Sequence, residues 1–232
     1  MAVRRTPRFY FSLRSPYSWL AYRDLLDRHA ALANRVEWIP FWEPDEHSTR
    51  LLTEAGGEFV YTPMSRAKHL YVLGDMRRLA AARGLTFTWP VDRDPVWEIP
   101  HLAYLVARRL GAGPEFIEHA YRARWQEGRN ICDRATIAKI AADLGLPEAE
   151  LAGAADDEAV RREGLDALLA IYRDGVFGVP FFANGFDKYW GVDRLDAFAA
   201  SVEASAPAPA PAAEAAGLAP GRTDEGHAGG CG

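Results

Sequence analysis

Ser15-Pro16 stands where an aromatic run, Phe9-Tyr10-Phe11, gives way to a segment of helical spacing, and no other stretch is better placed to do chemistry. Pro16 has the fixed φ and missing N–H that suit a first helical position, which makes Ser15 the natural N-cap. A hydroxyl there stands among free N–H groups at the positive end of a helix dipole, where a thiolate or carboxylate placed beside it is stabilised. Capping alone also accounts for the residue, since serine leads the N-cap ranking. Arg14, just ahead of it, could offer a cation to a thiolate or to a substrate carboxylate, or could be a solvated arginine at a strand end. Lys68, Tyr71, Asp75 and Arg78 follow at i, i+3, i+7 and i+10 and roughly share one helical face, a pattern that a solvated face explains as well. Glu98 and His101 lie at a loop-to-helix junction that could display a general acid or base. A carboxylate at a helix start needs no catalytic role, and a lone histidine is more often structural or exposed, so neither is assigned one.

The elements that must position these residues read clearly in places. An aromatic strand over 8–11, a helix from Pro16 to about Ala33 and a second strand, Val36-Glu37-Trp38-Ile39-Pro40-Phe41, form a βαβ unit, for which parallel pairing is the default. In such sheets ligands gather where strand ends meet helix starts, and Ser15 lies at one of those places. Trp42 to Pro63 is polar and carries Pro44, Gly56, Gly57 and Pro63, which predicts a long surface loop with at most one short helix. Helices are expected over 65–83, 100–110, 114–126, 134–144 and 157–173, punctuated by Pro100, Pro114, Asp133 and several glycine stops. A hairpin through Gly185 and a last helix, Asp193 to Val202, close the reading. Pro180 heads the first hairpin strand, as a cis X–Pro or as the more frequent trans edge-strand proline. The implied units are 1–64 with 155–204, a helical insertion over 65–154, and a disordered Ala/Pro/Gly-rich tail over 205–232.

Composition narrows the partners. The 232 residues carry 27 Lys and Arg against 32 Asp and Glu, a net charge of -5, which gives no electrostatic footprint for nucleic acid or an anionic membrane. No export signal or membrane span is read, although Met1 to Arg5 resembles a signal n-region. Two cysteines, Cys132 in a helical region and Cys231 in the glycine-rich end, make neither a disulfide framework nor a metal-ligand spacing. A cytoplasmic setting and a small-molecule substrate fit these features, with a homodimer left open.

Phe9-Tyr10-Phe11, Ser15-Pro16-Tyr17-Ser18, Lys68-x-x-Tyr71, Phe177-Gly178-Val179-Pro180 and Trp190-Gly191-Val192-Asp193-Arg194-Leu195 occur in an order that resembles the 2-hydroxychromene-2-carboxylate isomerases and kappa-class glutathione transferases of the DsbA-like superfamily. The resemblance spans residues 8–203 and implies an α/β, thioredoxin-like fold with an inserted helical domain. It implies that Ser15 replaces the first redox cysteine of thioredoxins and hydrogen-bonds the thiol of bound glutathione. It places Val179 and Pro180 in a cis-proline loop that pairs with the backbone of the glutathione cysteine, and Val192 and Asp193 at the γ-glutamyl end. Lys68 matches a lysine near the active site, and Tyr71 is aligned beside it. The chain departs from the family at Arg14, usually apolar, at Ser12, commonly Asp, and at Val192, usually polar. It also has no clear counterpart near Gly56-Gly57 of a Gly-Asn that often contacts glutathione. Another low-molecular-weight thiol therefore stays open as the cofactor.

The expected chemistry is an isomerisation in which a cofactor thiolate held by Ser15 adds to an electron-poor carbon of a chromene carboxylate, the ring opens, the side chain rotates, and elimination returns the thiol. Lys68 and Arg14 would steer the carboxylate, with Tyr71 nearby. A kappa-class-like transferase would use the same site and differ in whether the adduct is released. A DsbA-like oxidoreductase needs a nucleophilic cysteine where this chain has Ser15. A non-catalytic thioredoxin-fold binding module is the remaining alternative, since fold does not fix function.

Overall fold

Phe9, Tyr10 and Phe11 are each wholly buried, as a strand covered on both faces requires. In the computed structural model, which describes residues 6–60 and 64–205, they belong to β1 (Arg8–Phe11). The residues read from the sequence as a signal-like start, the loop end at Pro63, and the tail beyond Ser205 with Cys231 lie outside the described residues. The next elements are α1 (Pro16–Arg28), a short α2 (Ala30–Ala33) and β2 (Glu37–Pro40). β2 pairs in parallel with β1, Phe9 opposite Trp38 and Phe11 opposite Pro40. β2 is an edge strand, the position in a sheet where a proline such as Pro40 is tolerated. The helix expected to run to Ala33 breaks at His29 (φ −136°, ψ 41°). There Arg28 and His29 both reach the Asp196 carboxylate, at 2.6 and 2.9 Å, tying the end of α1 to the C-terminal helix.

The segment expected to be mostly loop holds α3 (Glu46–Glu54), capped by Asp45, whose carboxylate accepts the Ser48 N–H at 2.7 Å. Burial alone would raise the Asp45 pKa, but hydrogen bonds from Arg161 and the Ser48 N–H hold it below the usual value. α4 (Arg66–Ala82) begins where expected, capped by Ser65, and buries only Val72, Met76 and Ala80. Arg83, just past its end, grips Asp24 of α1 through Nε and Nη2 at 2.9 and 2.7 Å. α5 (Glu98–Arg109) starts two residues earlier than expected, and every residue from Glu98 to Ala107 is buried. α6 (Gly113–Tyr121) runs into a π-helical turn over Arg122–Gln126, and α7 (Arg134–Asp143) follows its Asp133 cap. Cys132 lies in the turn before α7, not inside a helix. α8 (Glu148–Gly153) was not singled out in the sequence; it buries one side chain, Leu151, too little to leave a periodic apolar signal. α9 (Glu158–Asp174) ends at Gly175 in the left-handed conformation.

β3 (Phe181–Asn184) and β4 (Asp187–Trp190) form the expected hairpin and complete the sheet in the order β2-β1-β3-β4, with β3 antiparallel to both neighbours. A short 3-10 turn (Val192–Arg194) leads into α10 (Leu195–Ala204). The alternation of β1 divides the core. Phe9 stacks on Phe182, which stacks in turn on Phe198 of α10, and Phe11 meets Tyr104 of α5 edge-on at 5.2 Å. Tyr10 faces the other way and donates its hydroxyl to Asp174 at the end of α9, where Arg8 also pairs. This is an α/β fold of the thioredoxin type, with a mixed sheet at its centre and a series of helices between β2 and β3.

Candidate functional site

The chain leaves β1 at Phe11 and enters α1 at Pro16, and the four residues between them are held by an unusually complete set of bonds. The Ser12 N–H donates to Ser18 Oγ (3.2 Å), the Leu13 N–H to His101 Nε2 (3.1 Å), the Arg14 N–H to Ser12 Oγ (3.3 Å) and the Ser15 N–H to the Ser12 carbonyl (3.1 Å). That carbonyl also accepts the Tyr121 hydroxyl at 3.1 Å. Ser15 caps α1 as expected, its Oγ accepting the Ser18 N–H at 3.2 Å. Its hydroxyl hydrogen has no acceptor among the described residues. A half-buried donor is thus left to point at whatever occupies the space beyond.

That space is a cleft of about 520 Å³. Of the residues selected from the sequence, Arg14, Ser15, Lys68 and Val179 line it together. The Val179–Pro180 bond is cis, Pro180 is buried behind Val179, and the Pro180 carbonyl accepts the Gly191 N–H at 3.0 Å. The N–H and C=O of Val179 have no partner among the described residues. Arg14 takes the inward of its two expected orientations. Its Nη1 lies 3.2 Å from Glu43 Oε2, its guanidinium sits 5.1 Å from the Trp97 ring centroid, and both Arg14 and Glu43 face the cleft. Lys68 has no carboxylate within ion-pair distance among the described residues. An aromatic wall completes the space, with Phe177 and Trp190 edge-on at 4.9 Å and each about half exposed. Gly178 permits that contact, because a Cβ there would come within 3.1 Å of Trp190 Nε1.

Besides Pro180, three of the selected residues stand outside the lining. Tyr71 is 61% exposed and lies under the Arg78 guanidinium at 5.9 Å, outside the cleft lining. Besides Lys68 and Val72, the same helix reaches the site through Asp75, which accepts the hydroxyl of the cleft residue Tyr17 at 2.8 Å. Burial, reinforced by that bond, pushes the Tyr17 pKa up, so its phenol stays protonated and donating. Val192 packs against the core, and the Asp193 carboxylate is exposed, 3.5 Å from Arg194 Nε.

Glu98 and His101, given no role from the sequence, both lie at the base of the site. His101 is wholly buried against the 12–15 turn, and Glu98 accepts from Trp42 Nε1 (3.3 Å) and the Asp45 N–H (2.5 Å). Burial pushes the Glu98 carboxyl above its ordinary value. A signal was present: residues 99–107 are apolar almost all round, the mark of a buried helix, and polar side chains in its first turn must then find internal partners. Cys132 is buried, and burial drives its thiol up to about 12, which leaves it unreactive. Among the described residues no cluster of His, Cys, Asp and Glu could hold a metal ion, and no helix is long and apolar enough to cross a membrane. The arrangement can hold an anionic nucleophile at a helix start, beside a planar apolar molecule carrying a negative group.

Residues 8–203 match the family described as the DSBA-like thioredoxin domain. The chain is 29% identical over 198 residues to a 2-hydroxychromene-2-carboxylate isomerase of Sphingobium xenophagum, covering 84% of this chain and 96% of that protein. Its fold is similar to the solved structure of a 2-hydroxychromene-2-carboxylate isomerase, with a TM-score of 0.66 and 20% identity over 85% of this chain and 94% of that one. It is similar also to the cytosolic disulfide reductase DsbM of Pseudomonas aeruginosa solved with GSH, with a TM-score of 0.56 and 21% identity over 86% of this chain and 98% of that one.

Proposed function

From the premise that the chain belongs to the DSBA-like thioredoxin domain family, we propose that its cleft binds a low-molecular-weight thiol, glutathione first among them, and isomerises a small aromatic carboxylate of the hydroxychromene type. The observation that carries this reading is the Ser15 hydroxyl, which stands at a helix start, faces the cleft and has an uncommitted hydrogen. A disulfide exchanger requires a thiolate of its own at that point. The donor set fits a thiol: Ser15 can donate to sulfur, and the free N–H and C=O of Val179 can pair with a cysteine backbone.

When bound, the thiol would supply a nucleophile whose reversible addition to an electron-poor carbon turns the adjoining double bond into a single bond free to rotate, with elimination restoring both thiol and double bond. The protein's own part is electrostatic and positional. Ser15 and the first turn of α1 favour the thiolate over the thiol. Lys68, without a carboxylate partner among the described residues, and Arg14, which spends one donor on Glu43, offer cations to the substrate carboxylate. Phe177 and Trp190 give a planar ring an apolar wall. Val192 and Asp193 are assigned to the γ-glutamyl end, in a turn that begins just after Gly191 and its bond to Pro180.

Calorimetry with glutathione and other cellular thiols, together with a spectroscopic assay of 2-hydroxychromene-2-carboxylate with and without thiol, tests the reading. Binding of one thiol and thiol-dependent turnover are expected. Ser15→Gly keeps the cap to within a few tenths of a kcal/mol but removes the hydroxyl, so turnover should fall by about 10–100-fold with little change in Tm. Release of a stable thioether adduct would reassign the site to a transferase. Heatless titrations and a rate indifferent to thiol would end the proposal.

A further inference from the structure

We propose that His101 is a positioning residue that holds the turn from Ser12 to Ser15, and with it the Ser15 hydroxyl, in register with the cleft; its bearing on turnover rests on the thiol-dependent reading above. His101 Nδ1 lies 2.7 Å from the Trp97 carbonyl. A carbonyl only accepts, so the ring proton is on Nδ1 and Nε2 carries the lone pair. Nε2 then accepts the Leu13 N–H (3.1 Å) and the Ser12 hydroxyl (3.3 Å), and that hydroxyl's oxygen accepts the Arg14 N–H (3.3 Å). One imidazole therefore fixes three consecutive residues immediately before Ser15. Among the described residues no other acceptor is bonded to the Leu13 N–H. The ring itself is clamped, with Trp42 stacked on it at 5.7 Å and Trp97 edge-on at 6.4 Å, and Trp42 is also a wall of the cleft.

The choice of histidine is informative. Burying an imidazole is costly unless its polar atoms are satisfied, whereas an aliphatic side chain would fill α5's interior without that cost. What an aliphatic residue cannot do is accept two donors from the turn. The charged groups facing the ring are the guanidinium ions of Arg14 and Arg124, which oppose its protonation. Glu98, one turn earlier on α5, gives its oxygen to Trp42 and Asp45, not to the imidazole. Burial first, and these cations next, push the His101 pKa down to about 3, so Nε2 remains an acceptor across the physiological range.

Two substitutions separate positioning from packing. His101→Gln can present an amide oxygen where Nε2 stands, and His101→Asn keeps a donor near Trp97 but withdraws the acceptor. In the full-length protein, amide hydrogen exchange at Leu13 and Arg14 should quicken in His101→Asn and stay near the parent rate in His101→Gln. With glutathione and the chromene carboxylate, kcat should fall by about 10–100-fold in His101→Asn, with KM for the carboxylate nearly unchanged and the pKa of bound glutathione raised. His101→Gln should recover most of the loss. Should His101→Asn fail to fold, Ser12→Ala carries the test, because it cuts the link from Nε2 to the Arg14 N–H and should quicken exchange at Arg14. Parent-like exchange in the folded variant overturns the proposal, as does quickened exchange with unchanged kcat or an equal loss in Gln and Asn. If the parent shows no thiol-dependent turnover, the functional reading fails, and the exchange measurements still decide the role of His101.

Discussion

Arg14 spends one of its guanidinium donors on Glu43, and both side chains are more than 40% exposed. Such pairs contribute about 0.2–1 kcal/mol to stability. Their more important effect is local, since Glu43 competes with an anionic ligand for the same cation. Glu43→Gln should therefore tighten binding of the chromene carboxylate by about 2–5-fold and leave Tm almost unmoved. Arg14→Leu should act oppositely, weakening carboxylate binding by about 10-fold or more if the guanidinium bonds it directly. Steady-state KM for both variants checks the pair, and a parent-like KM in Arg14→Leu would remove Arg14 from the site. The sequence raised Arg14 as a departure from its relatives, but it could not see Glu43 or Trp97, which decide where the guanidinium goes.

Among the elements, α4 is largely exposed yet contributes to the cleft. It supplies Lys68 and Val72 to the cleft while burying only a thin apolar stripe. Its C-terminal anchor is the two-point grip of Arg83 on Asp24, whose side chain is only 10% exposed and also lies 3.3 Å from Arg28. Asp24→Asn should cost about 1–3 kcal/mol, lowering Tm by about 3–10 °C, because it leaves the Arg83 guanidinium without its anion, while Arg28 keeps Asp196. KM should rise as Lys68 loses its fixed placement, while kcat holds. Calorimetric unfolding and steady-state kinetics test both parts, and a Tm within a degree of the parent would show that the stripe alone secures α4. The start of this helix was legible because Ser65 caps it within its own first turn; its anchor was not, because Asp24 belongs to another helix.

Across the whole molecule, the buried imidazole ties stability to pH. With a folded pKa of about 3 against an ordinary value of 6.5, the unfolded chain takes up a proton that the folded chain refuses. Stability is then fully present above about pH 6.5 and declines as pH falls towards 3. The expected loss from pH 7 to pH 5 is about 2 kcal/mol from this group. Glu98, whose folded pKa is raised, works in the opposite sense, so the comparison that isolates His101 is the parent against His101→Gln. Denaturant unfolding at pH 7 and pH 5 should give the variant a smaller loss than the parent. Equal slopes would mean that the imidazole is protonated in the folded state or already solvated.

Local chemistry made a large part of the protein legible from its sequence. The strand-turn-helix at Ser15, the start of α4 at Ser65, the Asp133 cap and the hairpin through Gly185 all depend on residues a few places apart. Backbone propensity, capping and turn geometry act over that range, so the sequence states them directly. Tertiary structure decided which of the chemically capable residues meet. It brought Lys68 and Val179 to Ser15 and left Tyr71 and Asp193 exposed outside the cleft lining. It also set His101 against Leu13, 88 positions away, a contact that no local preference encodes. Such contacts follow from how α5 and the sheet share one buried interior, where each polar atom must find a partner regardless of its distance along the chain.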